Sequence, residues 1–208
     1  MKALNLAAIC AFALSASAAA SATGAADQMT REEARDYVTR NRMELDVEYV
    51  IAAVMRGDAA AVEVLLTAGV DPNAKGSLPH SALQMASLSC QGGQVSDDRI
   101  LGVMDALIRH GARVNEPGVG GLDALFVAVQ NCKPAIVRRL VAAGANLNSR
   151  TPQGYTPLSM ALIVKNYDAA EVLIEAGARL SAEAAKKLLD GQEKNPRLTQ
   201  LVKRARSK

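Results

Sequence analysis

Gly154-Tyr155-Thr156-Pro157-Leu158-Ser159-Met160-Ala161, followed by Glu171-Val172-Leu173-Ile174-Glu175-Ala176-Gly177-Ala178, decides how this chain is read. A tight turn carrying Thr-Pro opens a short helix. A second, apolar helix follows and stops at Ala-Gly-Ala. The stop signal recurs upstream as Ala-Gly-Val at 68–70, His-Gly-Ala at 110–112 and Ala-Gly-Ala at 143–145. Gly69, Gly111, Gly144 and Gly177 are thus spaced by 42, 33 and 33 residues. A period in this range marks a solenoid, in which each unit buries its apolar face only against its neighbours.

The opening signal recurs in step with the closing one. The third unit has Asp123-Ala124-Leu125-Phe126-Val127-Ala128, then Val137, Leu140, Gly144, Ala145 and Asn148. The second has Ser81-Ala82-Leu83-Gln84-Met85-Ala86, then Leu107, Gly111, Ala112 and Asn115. The first keeps Val62, Leu65, Leu66, Gly69 and Asn73, with Glu48-Tyr49-Val50 in place of Thr-Pro-Leu. This pattern resembles the ankyrin-repeat family, whose unit reads roughly G-x-T-P-L-H-x-A, nine residues, then V-x-x-L-L-x-x-G-A-x-x-N. The resemblance covers about residues 46–180. It implies an all-α solenoid of about four helix-turn-helix repeats, near 46–76, 77–119, 120–152 and 153–180. It also implies an interaction scaffold and leaves the partner unnamed.

The chain has 208 residues and 3% aromatic content, room for one domain plus a leader. Lys2 precedes an Ala-rich run from Ala3 to about Ala22 that holds no further charge and ends in small residues. Residues 1–22 read as a secretory signal peptide. A retained membrane anchor fits less well, because no basic cluster follows. A lipoprotein reading of Cys10 fails at Ile9, where a small residue is required. Cleavage removes Lys2 alone and takes the formal charge from +3 to +2. Such a chain has no electrostatic reason to bind nucleic acid. After residue 22 no run of 18 apolar residues follows, so no integral membrane segment is expected. The mature protein is expected to be periplasmic and monomeric, similar to small exported ankyrin proteins of Gram-negative bacteria.

Cys90 and Cys132 remain after cleavage, each nine residues beyond the Thr position of its repeat. Packed helices sit about 8–10 Å apart, whereas a disulfide wants Cα atoms within about 7 Å. Ideal stacking argues against a bridge, while an insertion beside Cys90 argues for one, and both outcomes stay open. That insertion lies within Ser87–Arg99 and accounts for the nine residues by which the 42-residue spacing exceeds 33. It reads either as part of a binding face or as a longer turn, with Ser96 or Asp97 capping the helix that resumes.

The ends read as caps. Residues 23–45 hold an N-terminal segment and a helix opened by a Thr30–Glu33 capping box, with Ala34, Tyr37 and Val38 on its apolar face. Residues 181–208 hold a C-terminal cap: a helix over Ala182–Leu189, a last turn opened by Asn195-Pro196, and a basic tail from Lys203.

Catalytic and metal motifs are missing. His80 and His110 fall at different places in their repeats, and no His-x-x-x-His, Cys-x-x-Cys or Gly-x-Ser-x-Gly occurs. His110 is read as contacting exposed carbonyls at a helix C-terminus. Neither cofactor, metal nor enzymatic activity is expected. The ankyrin resemblance implies that partners are gripped by the inter-repeat fingers and the concave face of the first helices. Carried over by position, the residue before the Thr site is Val47, His80, Leu122 or Tyr155, and the exposed end of the first helix includes Arg56, Gln130, Asn131, Ile163 and Val164. The partner-binding set is therefore Arg56, His80, Leu122, Gln130, Asn131, Tyr155, Ile163 and Val164. For Ile163 and Val164, packing under the C-terminal cap is the competing reading. The expected function is an exported, non-catalytic module that binds and assists a periplasmic protein. The alternative is an inhibitor or immunity protein whose insertion plugs a toxic secreted enzyme.

Overall fold

A computed structural model of the chain describes residues 29–90, 93–190 and 195–206. The leader at 1–22, Cys10, Gln91-Gly92 and the last two residues lie outside that description. Among the described residues there are eleven α-helices and no strand. They are α1 (Arg31–Arg40), α2 (Val47–Arg56), α3 (Ala59–Ala68), α4 (Ala82–Leu88), α5 (Asp97–Arg109), α6 (Ala124–Asn131), α7 (Pro134–Ala142), α8 (Pro157–Ile163), α9 (Tyr167–Glu175), α10 (Ala182–Leu189) and α11 (Pro196–Arg206).

The helices stack in two rows. The first helices α2, α4, α6, α8 and α10 pack in succession, as do α1, α3, α5, α7, α9 and α11 behind them. One leucine per repeat, Leu83, Leu125 and Leu158, fills the inner row at no more than 1% exposure, and Val50 takes the same place in the first repeat. Leu65, Leu107, Leu140 and Leu173 fill the outer row with 0% exposure. Helix starts follow from side-chain caps. Ser81 and Thr156 form capping boxes with Gln84 and Ser159, and Asp58, Asp123, Asn166 and Ser181 each accept a backbone N–H two or three residues into the helix. Helix ends follow from the closing glycines: Gly69 ends α3 at φ 111°, where a Cβ would be strained.

The first repeat departs from the motif in a legible way. Asp46 accepts the N–H of Glu48, so the cap of α2 lies two residues before the motif's Thr position. That turn of helix carries Val47 into the core at 8% exposure, which removes it from the surface set expected by position.

The nine extra residues of the second repeat divide in two. The second helices of the other repeats run 11 residues from N-cap to closing glycine, and their N-caps fall ten residues after the motif's Thr position. In the second repeat the N-cap is Ser96, so five residues lengthen the turn and four lengthen α5 to 13 residues. Ser96 occupies the cap position without a side-chain cap bond.

The described residues of the longer turn are tied to both neighbouring repeats. Val95 is 8% exposed and packs over Gly57, the left-handed residue of the first repeat's turn. Arg99 Nε donates to Gly57 O at 3.1 Å. Lys133 Nζ lies 2.8 Å from Asp97 in the third repeat's direction. Cys90 and Cys132 are joined by a disulfide with Cα atoms 5.1 Å apart. Both cysteines lie at or beyond the last residue of their helices. There the chains leave the helix axes and can approach more closely than two packed helices.

The ends differ from expectation in two respects. Ala34 and Val38 are buried in α1, whereas Tyr37 is 40% exposed. The expected C-terminal turn is the 11-residue helix α11, which makes α10–α11 a fifth helical pair. Leu198, Leu201, Val202 and Ala205 form its buried stripe. Because Ala205 completes that stripe, Lys203–Arg206 is helix and not the basic tail expected from composition.

Candidate functional site

The concave face is the open side of the inner row, and the loops between repeats border it. Two of these loops are knitted identically. Asn73 Nδ2 donates to Gly111 O at 3.0 Å while its Oδ1 accepts from Arg113 N at 2.8 Å. One repeat on, Asn115 bonds Gly144 O and Asn146 N at the same distances. Gln84, buried at 1% exposure, donates to Glu116 O and Leu122 O. The motif asparagines and Gln84 thus fix where the fingers stand.

The residues expected to bind a partner fall at the two ends of the first helices and do not form one cluster. Arg56 lines a small hollow with Met43 and Tyr49 at the N-terminal end. His80 is half-buried before α4, and its Nδ1 has no hydrogen-bond partner. Leu122 is half-buried, with its carbonyl accepting from Gly118 N at 3.0 Å. Gln130 and Asn131 turn their amide groups back onto Phe126 O and Val127 O of their own helix, both at 3.2 Å. Tyr155 and Ile163 come together in one groove at the C-terminal end, with exposures of 42% and 45%. Val164 beside them is 41% exposed. The C-terminal cap therefore leaves Ile163 and Val164 uncovered.

The groove has a clear cause. In the three interior junctions, twelve residues separate the closing glycine from the next first-helix cap: Gly69 to Ser81, Gly111 to Asp123, Gly144 to Thr156. Between Gly177 and Ser181 the interval is four. No finger is built there, so among the described residues no second finger flanks the Arg150–Tyr155 finger on its C-terminal side. An open groove of about 540 Å³ results between that finger, α8 and α10. Tyr155, Ile163, Ala184 and Leu188 supply its apolar part, and Arg150, Glu183 and Lys187 its charges. Its size and mixed lining suit a peptide segment with one or two apolar anchors.

Position alone did not expose several features. Leu78 at 38% and Val119 at 54% are exposed apolar residues of the fingers, while Met55, placed by position with Arg56, is 52% exposed. Leu188 enters the groove from the cap. The short interval from Gly177 to Ser181 was the available signal for the groove. His110 also needs correction. Its Nε2 sits 2.7 Å from Glu63 Oε1, and Arg109 Nη2 sits 3.0 Å from Glu63 Oε2. The side chain reaches a carboxylate on α3 in place of exposed carbonyls, because Glu63, 7% exposed, faces the end of α5 in the same row.

Burial pushes the Asp123 carboxyl above the usual carboxylate range, against the lowering effect of the hydrogen bonds from Phe126 N and Ser149 Oγ. This is a structural cap standing where Thr156 stands in the next repeat. Among the described residues, no group of three or more His, Cys, Asp or Glu could hold a metal ion, and no helix is long and apolar enough to cross a membrane.

Comparison with known proteins agrees with this architecture. A family model for ankyrin repeats (3 copies) matches residues 50–151 and 95–184. Human ankyrin repeat and SOCS box protein 16 is 38% identical over 78 residues, covering 38% of this chain and 17% of that protein. An ankyrin repeat and KH domain-containing protein of Caenorhabditis briggsae is 29% identical over 159 residues, 74% of this chain and 6% of its own length. An ankyrin repeat protein of Rickettsia bellii (strain RML369-C) is 27% identical over 157 residues, 75% of this chain and 56% of that one. The chain thus spans less than two thirds of the length of each of these relatives.

Proposed function

The chain belongs to the ankyrin-repeat family, and from that premise we propose that it is an exported, non-catalytic module that binds and assists a periplasmic protein. Ankyrin repeats are protein-interaction modules; the compartment, the partner and the assisting role are our reading. The leader-like composition of residues 1–22 supports export. The observation that carries the binding reading is the groove beside the missing fifth finger, where Tyr155 and Ile163 stay exposed next to Leu188. Exposed apolar and aromatic side chains beside charged groups are what the core of an interface needs.

The described residues of the insertion support this reading over the inhibitor one. A plug has to project into a cleft, and here Val95, Asp97 and Cys90 are tied to neighbouring repeats. The turn also lies at the edge opposite the fingers, since it joins the far ends of α4 and α5.

The test is capture from periplasmic extract with the mature chain and with a Tyr155→Ala/Ile163→Asp variant, followed by calorimetric titration of the captured protein. The expected result is a partner held by the wild type and released by the variant. Equal affinity for both would remove the groove from the interface. Fractionation tests the compartment separately: the processed chain, cleaved near Ala18 or Ala22, should appear outside the cytoplasm.

A further inference from the structure

The groove beside the fourth repeat carries a charge pattern that its apolar lining does not account for. From residue 124 to residue 167 the sequence holds five cations, Lys133, Arg138, Arg139, Arg150 and Lys165, and no Asp or Glu. Lys133 and Arg139 are paired with Asp97 and Asp105 of the second repeat. Arg150 and Lys165 are exposed, and neither has an ion pair among the described residues. They stand at opposite ends of α8, Arg150 in the finger before it and Lys165 in the turn after it. Arg150 lines the groove, and Lys165 lines a hollow of about 210 Å³ that shares Ile163, Lys187 and Leu188 with it. We propose that this groove takes an extended acidic peptide segment of the pattern acid-x-apolar-x-acid. Arg150 and Lys165 bind its two carboxylates, and Tyr155, Ile163 and Leu188 hold its apolar side chain. The proposal rests on the groove being the binding surface.

Geometry sets the spacing of that pattern. Thr156 and Lys165 are nine residues apart along α8, about 13 Å of helical rise. An extended chain covers that distance in about four residues, and its positions i, i+2 and i+4 point the same way. A carboxylate at each end and an apolar side chain between them therefore meet the two cations and the apolar floor together. The groove's own carboxylates all come from α10, and Glu183 is engaged by Lys187 at 3.0 Å. A basic segment would set like charges against Arg150 and Lys165, whereas a carboxylate gains charge-assisted hydrogen bonds from both.

Lys165 supplies a second, independent observation. Its φ is 62°, a left-handed conformation, at the turn position where the first repeat has Gly57. A side chain is unfavourable there, and glycine makes the same turn without that cost. Strain of this kind gathers where a side chain is used. What lysine adds at this turn is an ammonium group at the far end of the groove.

The experiment titrates the full mature chain, by fluorescence anisotropy, into labelled peptides with the cores Glu-Ser-Leu-Ser-Glu and Glu-Ser-Phe-Ser-Glu. The same peptides with Gln, or with Lys, in place of both Glu are run beside them. The Glu peptides should bind at least ~10-fold more tightly than the Gln peptides, and the Lys peptides most weakly. Arg150→Ala and Lys165→Gly should each weaken the Glu peptides by about 5-fold and leave the Gln peptides unchanged. Lys165→Gly should do so with its melting temperature unchanged or raised, which separates lost contact from lost fold. Arg150→Glu/Lys165→Glu should turn the preference towards the Lys peptides. Equal affinity for Glu and Gln peptides, both lost in Tyr155→Ala/Ile163→Asp, would overturn the acidic class and leave the groove standing. Unchanged Glu-peptide binding in that double variant would remove the groove itself, and this inference with it. Saturable binding by none of the peptides would overturn the peptide pattern, while the capture experiment decides the groove separately.

Discussion

The second and fourth repeats are built on the same helix-turn-helix unit and use their surfaces in opposite ways. The second has more chain and spends it internally: its longer turn is bridged to the third repeat and packed over the first. The fourth matches the motif best, yet it leaves Tyr155 and Ile163 open in a groove beside the junction that lacks a finger. Extra sequence is therefore a poor guide to a binding surface in a stacked array. A missing neighbour is a better one, since it uncovers side chains that an interior repeat would hide.

The largest effects should show that the two repeats do not differ in their cores. Leu83 and Leu158 hold the same motif position with 1% and 0% exposure. Each Leu→Ala change should lower the unfolding free energy by about 3 kcal/mol in denaturant titration. A much smaller loss at Leu83 would mean that the second repeat is loosened by its insertion, and the comparison would fail. The turns should differ next. A Cβ on Gly57 would lie 2.4 Å from Val95 Cγ1, at φ 66°. Gly57→Ala should cost about 2 kcal/mol and raise exchange at 95–99. Lys165 holds the same turn position in the fourth repeat, just before the cap Asn166, at φ 62°. Lys165→Gly should be neutral or stabilise by up to about 1 kcal/mol, since it relieves a left-handed side chain. Opposite signs at equivalent positions would show that the first turn is shaped by the insertion above it.

Two smaller effects sharpen the contrast at the surface and at the caps. Tyr155→Ala should leave stability within about 0.5 kcal/mol while weakening partner binding by more than about 1 kcal/mol. An equal loss in both would make Tyr155 a structural residue. At the cap position, Asp123 in the third repeat is ionisable where Thr156 is not. Its folded carboxyl is raised above the unfolded value, so the folded chain binds a proton more readily. Its contribution is fully present below the unfolded pKa and is lost as pH rises through the raised folded value. Asp123→Asn should thus stabilise the protein at pH 7 by less than about 1 kcal/mol, and the gain should vanish on titration towards pH 4. A gain that persists in acid would assign it to packing.

The fold was legible because its signals are local. Capping at Thr30, Ser81 and Thr156, the closing glycines, and one apolar residue per helix turn each act within a few residues of themselves. Tyr155 and Ile163 were legible as exposed positions for the same reason: register alone places them. What stayed hidden depends on contacts between repeats. The pairing of His110 with Glu63 joins residues 47 apart in sequence, and the pocket over Gly57 is filled from the next repeat. Val47 was misplaced by register because a local cap, Asp46, restarted the helix earlier. The groove depended on a shortened junction, which composition does not report.

The division of the nine extra residues carries a consequence for how such chains change in length. The four that entered α5 amount to about one helical turn, an advance of roughly 400°. The entering chain thus meets the helix about 40° from where an unextended helix would receive it, still facing Lys133 and Gly57. Two or three extra residues would have delivered it about 200° or 300° around, away from one neighbour or the other. Insertions and deletions in this array are therefore graded by the helix pitch: whole turns and loop residues pass, and fractions of a turn break the stack.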